Sequence, residues 1–568
     1  MKKLRMCQKT ACGLAILGMA VLSGPYWFTT AAQSGHKLLG GPRGVVRSAK
    51  NIKPLTGTGF QGGEPLEGIG VQLISLKTAI RTTVYSDEEG RYEFPKLDSG
   101  VYTLRITRPL DYRPYQRESI PIDGATQLQD IVLERVSKNE FLPPTSEILP
   151  QLTDAEWMLN LPGTGQEKRV FNISCGFGCH SYQQVFSNRY DEESWRLIID
   201  RMLSGNSTLI WVNPPSNTAE AREQIPMRSA PAVEILTKWL ATVRGPEAKD
   251  DSPLYVLPRS KGAATRMIVT EYELPRTLLV PHDVHGDSKG NIWYTAHRSP
   301  YVGALNPRTG EVKEYRLPDD PAMLPGTHRV WVDQKDYVWF SENWRSNMVG
   351  LDPETGEFKV FPLEPRGFSN FAMDSKGLAY ETLDDGVVQI DSKTGKIVKK
   401  FTLNRVRSTY DSIVSHDDRY WSGGTTSGNM LGLLDTQTGE WWETEIPTLN
   451  ANPSRGGFDR DGNAWFGGRG GMLLKLDTKT RRVTEYWPPI PYVTFYEAMP
   501  DKNGEVWAAA LGSGRFLRFN PRTERWIQYM LPEPYSHDRR TWIDNSTDPV
   551  TVWYVDHNGY LVRLQPLE

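Results

Sequence analysis

Cys175-Gly176-Phe177-Gly178-Cys179-His180 places two thiols and an imidazole within six residues. That is the group set of covalent haem attachment, in which both sulfurs form thioethers with the porphyrin vinyls and the adjacent imidazole ligates iron. Such sites ordinarily read C-x-x-C-H. Here one more residue separates the thiols, and the glycines in the gap let the loop bulge so that both sulfurs still reach the vinyls. The same residues would also form a Cys175–Cys179 disulfide, another metal site or a free thiol pair. Zinc is disfavoured, because a structural site takes four ligands and only three are evident nearby. A second group consists of His282 and His328, each ahead of an aromatic marker in successive repeats, and Glu342 just after the second marker. By their place in the repeat, all three are expected to face one mouth of a central channel, the alternative for His282 and His328 being packing or hydrogen-bonding roles within it.

The context of the thiols favours haem. The segment from Asp154 onward turns helical, with Trp195, Ile198, Ile199 and Met202 at helical spacing and a last helix near Ala232 to Val243. A helical region of roughly a hundred residues around such a motif is similar to a small class I cytochrome c. That resemblance implies one haem c held by Cys175, Cys179 and His180, with a methionine ahead of the final helix as second axial ligand. Met227 stands in that place, so His180 and Met227 would ligate the iron. Met202 is the other methionine at hand, and its helical spacing assigns it to the core.

The chain that positions these groups has 568 residues and a formal net charge of -2, enough for several cores. Its 50 glycines, 40 prolines and 18 tryptophans argue for short strands and tight turns. The balance of 66 basic against 68 acidic residues leaves no footprint for nucleic acid. Markers Trp293, Trp339, Tyr380, Trp421, Trp465, Trp507 and Trp553 recur every 41 to 46 residues, the period of a four-stranded propeller blade. The seventh repeat ends at Leu564-Gln565-Pro566 without its last strand, while Glu271-Tyr272-Glu273-Leu274-Pro275 stands unpaired before the first. The early copy is expected to complete the last blade and close a seven-bladed ring.

Trp339-Phe340-Ser341-Glu342-Asn343 and Asn347-Met348-Val349-Gly350-Leu351 resemble blades of the virginiamycin B lyase (streptogramin lyase) family. The resemblance implies that His282, His328 and Glu342 act with Mg²⁺ in a ring-opening C–O elimination. The family has a glutamate two residues before the second histidine, where this chain has Gly326. The first blade has Ala296 in the place of a carboxylate, with His297 beside it. Arg298, Arg345, Arg455, Arg469 and Arg515 recur on loops between repeats; an anionic ligand would suit them, and solvated loops account for most.

Pro65-Leu66-Glu67-Gly68-Ile69, Asp87-Glu88-Glu89-Gly90-Arg91-Tyr92 and Gly100-Val101-Tyr102 resemble the carboxypeptidase regulatory-like module, which implies an accessory β-sandwich. A basic start, the apolar run from Gly13 to Gly24 and Thr30-Ala31-Ala32 read as a cleaved secretory signal, the alternative being an uncleaved membrane anchor, for which the apolar run is short. Removing its Lys2, Lys3, Arg5 and Lys9 takes the charge to -6. The expected chain is multidomain: signal peptide 1–32, β-sandwich 40–137, all-α cytochrome c-like domain 151–247 and C-terminal seven-bladed β-propeller 263–568. It is expected in the periplasm or secreted, with no stable membrane span after signal cleavage. The first expected function is electron transfer to an envelope partner, coupled to binding or oxidation of a small organic ligand at the propeller mouth. The alternatives are a Mg²⁺-dependent C–O lyase and a non-catalytic binding or scaffold propeller.

Overall fold

A computed structural model describes residues 39–49, 62–136, 151–176, 180–204, 229–249, 254–276, 280–318, 326–342, 345–363, 370–383, 386–406, 409–425, 429–536 and 538–568. The expected signal segment, Cys179 and Met227 lie outside them. No helix among the described residues is long and apolar enough to cross a membrane.

From residue 267 onward the chain folds as antiparallel four-stranded units in sequence order, beginning with Pro281–Gly286, Ile292–Ala296, Tyr301–Leu305 and Val312–Arg316. The markers owe their recurrence to a hydrogen bond. An aspartate six residues upstream accepts from the indole Nε1: Asp287 from Trp293 at 3.0 Å, Asp333 from Trp339 at 3.2 Å, Asp459 from Trp465 at 2.8 Å and Asp501 from Trp507 at 3.0 Å. The same carboxylates receive backbone N–H groups of their own turns, so each ties a hairpin to a buried ring. In the fourth blade that position is Ser415, and the buried Trp421 Nε1 has no hydrogen-bond partner.

The ring closes as the sequence predicts. Met267–Glu273 pairs antiparallel with Tyr560–Pro566 over the full register from Pro566↔Met267 to Tyr560↔Glu273, completing the seventh blade. Its other edge pairs with Arg81–Tyr85 of the N-terminal region, so one eight-stranded sheet runs from the seventh blade into the sandwich. The sandwich has a second sheet of Gly62–Pro65, Gly40–Ala49, Arg91–Pro95 and Ile131–Leu133, and Val71, Leu104, Phe94 and Ile131 fill the space between the two.

Between sandwich and propeller the described residues form five helices: α1 (Asp154–Asn160), α2 (Gly165–Cys175), α3 (Tyr182–Phe186), α4 (Glu192–Ser204) and α5 (Ala230–Val243). Thr153 with Glu156 and Thr164 with Glu167 make capping boxes at α1 and α2. Phe171 of α2 meets Trp239 of α5 at 5.3 Å and Phe186 of α3 at 5.0 Å. These helices by themselves do not identify a cytochrome fold. Met202 is 57% exposed, so it is not the core residue its spacing suggested: α4 turns Trp195 and Ile199 inward and leaves Met202 on the solvent face. The helices join both neighbours. Buried Glu156 pairs with Arg108 of the sandwich at 3.0 Å, and Ala155 N–H donates to Gly512 O of the sixth blade.

Candidate functional site at the propeller axis

The blades bring two adjacent sequence positions to the axis, ten and eleven residues before each marker. At ten stand Asp283, Arg329, Asn370, Asp411, Arg455 and Glu497; at eleven stand His282, His328, Tyr410, Ser454 and Tyr496. The seventh blade adds Arg539 and Arg540 at the equivalent strand, Asp538–Asp544, whose register is shifted by a bulge. His297 and Arg469, four residues after their markers, complete the group.

The position at ten is a sealed ring of charge. Asp283, Asp411, Arg455 and Glu497 are fully buried. Arg455 Nη1 donates to both oxygens of Asp283 at 2.7 and 2.9 Å, while Nη2 donates to Asn370 Oδ1 at 2.5 Å and to His328 Nδ1 at 3.2 Å. Arg329 pairs with Asp411 at 2.7 Å, and Arg540 with Glu497. Burial would raise Asp283, but Arg455, Arg540 and Arg329 outweigh it and hold the carboxyl below its usual range. Glu497 is pushed up to about 7, burial prevailing over Arg540.

The position at eleven holds imidazoles and phenols. His282 stacks on His328 with ring centroids 3.9 Å apart, and His297 lies 4.0 Å from the first and 4.8 Å from the second. The partners fix the tautomers. Ionised Asp283 accepts from His282 Nδ1 at 2.8 Å, so Nε2 is a lone pair, and it faces Tyr496 Oη at 3.0 Å. Arg455 donates to His328 Nδ1, so the proton of that neutral ring sits on Nε2. Tyr496 Oη is hydrogen-bonded to Tyr410 Oη. Burial, then neighbouring imidazoles and Arg455, hold His282 and His328 far below the usual histidine range. Burial with Arg539 and Arg455 lowers His297 to about 3. For Tyr410 burial would raise the phenol, but Arg455, Arg469 and Arg539 bring it below its usual value.

These shifts make the site acid-sensitive. A histidine neutral in the fold but titrating near 6.5 when unfolded takes up its proton first in the unfolded chain. Its contribution is intact above pH 6.5 and lost as pH falls below it, at up to about 1.4 kcal/mol per pH unit. His297→Gln is expected to lose about 1 kcal/mol less stability than the unaltered chain between pH 6.5 and 5, allowing for partial exposure. Urea unfolding at the two pH values checks this; identical losses would contradict it.

The axis therefore gathers His282 and His328 as expected, and adds His297, Tyr410, Tyr496 and Arg455. The spacing from the marker is the signal that finds most of them. Glu342 is engaged locally: its carboxylate accepts from Arg345 at 2.9 Å and Asn347 at 2.7 Å, across the turn into Asn347–Leu351. The arginines are not mostly solvated loops. Arg455, Arg469 and Arg515 are buried and Arg345 nearly so, because each serves a carboxylate, carbonyl or hydroxyl; Arg298 is exposed. The three imidazoles offer ligand atoms within 4.8 Å of one another. Mg²⁺, which prefers oxygen, does not fit this set. Arg455 and Tyr496 already donate to two of the nitrogens, and the surrounding guanidiniums repel a cation. In the helical region, His180 Nδ1 lies 3.1 Å from Ser181 O, so Nε2 is the ring nitrogen that does not face this carbonyl.

A β-sandwich continuous with the last blade of a seven-bladed propeller, holding a polar axial site, is the class these features define. Residues 59–134 match the model of the carboxypeptidase regulatory-like domain. Among solved structures the chain is similar to virginiamycin B lyase from Staphylococcus aureus, at 19% identity over 53% of this chain and 99% of that one, with a TM-score of 0.47. A streptogramin B lyase structure gives 20%, 54%, 99% and 0.48. A catalytically inactive variant of the S. aureus lyase with quinupristin gives 18%, 53%, 99% and 0.47. No curated protein sequence matches the chain. The propeller fold itself rests on the strand pairing described above.

Proposed function

We propose that the propeller mouth is an acid–base site of lyase type, with Tyr410 as the group that takes a proton from a small organic ligand. The observation that carries this is a hydrogen-bonded chain from half-buried Tyr410 through Tyr496 and His282 to fully buried Asp283. With His282 in the tautomer Asp283 imposes, Tyr496 O–H donates to Nε2 and Tyr410 O–H donates to Tyr496. Every donor points inward. Loss of the Tyr410 proton to solvent lets Tyr496 O–H turn from His282 Nε2 to the new phenolate, while burial keeps the imidazole neutral and Asp283 keeps it fixed. The phenolate left at the mouth is stabilised by three guanidiniums and takes the C–H proton, the C–O electron pair leaves on the oxygen, and His328 Nε2–H hydrogen-bonds that departing oxyanion, which takes its proton from water. His282, with no exposure, acts through Tyr496 and Tyr410 as a positioning residue. The test is the ultraviolet tyrosinate band of the full chain against pH. One tyrosine should ionise below the rest, vanish in Tyr410→Phe and shift upward in His282→Gln; an early band unaffected by either substitution sinks the reading.

A second reading applies to the helical region: haem c held by Cys175, Cys179 and His180 with Met227 opposite, in a periplasmic or secreted chain that passes electrons to an envelope partner. The orientation of His180 supports it, since Nδ1 facing a carbonyl keeps Nε2 for iron. Bound there, the haem would supply one-electron chemistry. The full chain made with a cytochrome maturation system is expected to be red and to keep its Soret band after denaturation, and a colourless product would end this reading.

A further inference from the structure

We infer that the ligand of the mouth is a small organic anion whose carboxylate or other oxyanion group is received by Arg469 and Arg539 beside the Tyr410–Tyr496 pair. This deepens the acid–base reading of the same site, yet it stands on a separate feature, the way charge is sorted by depth. The carboxylates of the axial cluster, Asp283, Asp411 and Glu497, are all fully buried in the lower ring. The described residues that keep some exposure there are Tyr410, His297 and Arg539. A ligand arriving at the mouth meets cations and neutral donors and none of these carboxylates. Counted with buried Glu381, which accepts from the backbone N–H of axial Asn370, Arg329, Arg455, Arg469, Arg539 and Arg540 exceed the four carboxylates by one.

The cationic groups are also held in place. The Arg469 guanidinium lies 4.6 Å from the Tyr410 ring centre and 5.0 Å from that of Tyr496, with Nε donating to Ser454 Oγ at 3.2 Å. Arg455 lies 5.7 Å from both rings, and Arg539 5.5 Å from Tyr496. Three guanidiniums converge on one pair of phenols, and stacking on rigid rings removes rotamer freedom before a ligand arrives. A planar guanidinium so held presents its N–H edge to an oxyanion in the bidentate geometry that carboxylate and phosphate share. The lowered titration of Tyr410, where Arg455, Arg469 and Arg539 outweigh burial, accords with the same positive field.

The experiment titrates the full chain, treated with chelator, with four probes at matched ionic strength: sulfate, succinate, chloride and the neutral diamide succinamide. Tyrosine near-ultraviolet difference absorption reads the Tyr410–Tyr496 pair. Sulfate or succinate is expected to saturate the signal at millimolar concentration while chloride and succinamide do not, and the preference between the two anions separates an inorganic from a carboxylate ligand. Arg469→Gln should weaken that binding about tenfold, the loss of one charge-assisted contact, with Arg469→Lys intermediate. If Arg469→Gln does not fold, Arg539→Gln on the rim carries the same expectation. Binding no stronger for the anions than for succinamide, or unchanged in both variants, overturns the inference. The tyrosinate titration without added anion reports on the proton chain alone, so failure of one reading is separable from failure of the other.

Discussion

Arg455→Met is expected to destabilise the chain by about 3–5 kcal/mol, among the largest losses any single substitution in the propeller would cause. The magnitude comes from what is left behind. Asp283 is fully buried and receives two hydrogen bonds from Arg455, and Asn370 and His328 lose their donor in the same step. A buried carboxylate left with the His282 N–H and the field of Arg540 and Arg329 has lost its only ion pair at hydrogen-bond distance, and it must be protonated or solvated. At neutral pH, urea unfolding followed by tryptophan fluorescence should show the loss, and Asp283→Asn in the same chain should restore part of it. The penalty should also shrink with acid. In the unaltered chain Asp283 is held below its usual range, so its contribution is present above about pH 3.9 and lost as pH falls through the lower folded value. In the variant burial acts without its main opponent, the carboxyl takes a proton earlier, and the two chains converge towards pH 4. A loss under about 1 kcal/mol at pH 7 would mean that Arg455 is a lining residue and not the hub of the axis.

How much of this was legible in the sequence depends on the range of the interaction concerned. Blade count and closure could be read because each rests on a short motif: an aspartate, a turn and an indole six residues on, repeated, with one strand displaced to the start. The sandwich was legible for the same reason, its hairpins being local. The union of His282, Tyr410, Arg455 and Tyr496 is different. These residues lie in four blades, up to 214 positions apart, and nothing near Tyr410 or Tyr496 distinguishes it from the other tyrosines of the chain. Ring closure alone makes them neighbours, so their signal is the shared offset from the marker and not any spacing among themselves. Glu342 is the converse case. Its motif is recognisable in the sequence, but the bonds its carboxylate accepts from Arg345 and Asn347 of its own hairpin are not. Arg455 looked like a loop arginine because burial of a guanidinium is set by carboxylates from other blades. The docking of the sandwich on the seventh blade left no local trace either, since an edge strand is written in the same alphabet whichever partner covers it.

That docking leads to the second large effect. Val269→Asp is expected to cost more than about 4 kcal/mol, because it places a charge in a fully buried position on the strand that closes the ring. Met267–Glu273 serves two cores. Met267 and Val269 pack with Trp507, Phe516 and Tyr554 of the last blades, while Ile268 packs with the sandwich residues Val71, Leu104 and Ile106. Its backbone is used on both edges, with Val269 opposite Leu564 on one side and Thr83 on the other. A strand expelled from the seventh blade must therefore leave the sandwich sheet too, exposing the edges of Tyr560–Pro566 and Arg81–Tyr85 together. Hydrogen exchange on the full chain reads this directly: both segments should lose protection in Val269→Asp, and Ile268→Asp should produce the same pair of losses from the other face. Retained protection at Arg81–Tyr85 in Val269→Asp would show that the sandwich holds its sheet without the propeller. Joint loss would identify the closing strand as the element through which the accessory module and the ring stand or fall as one unit.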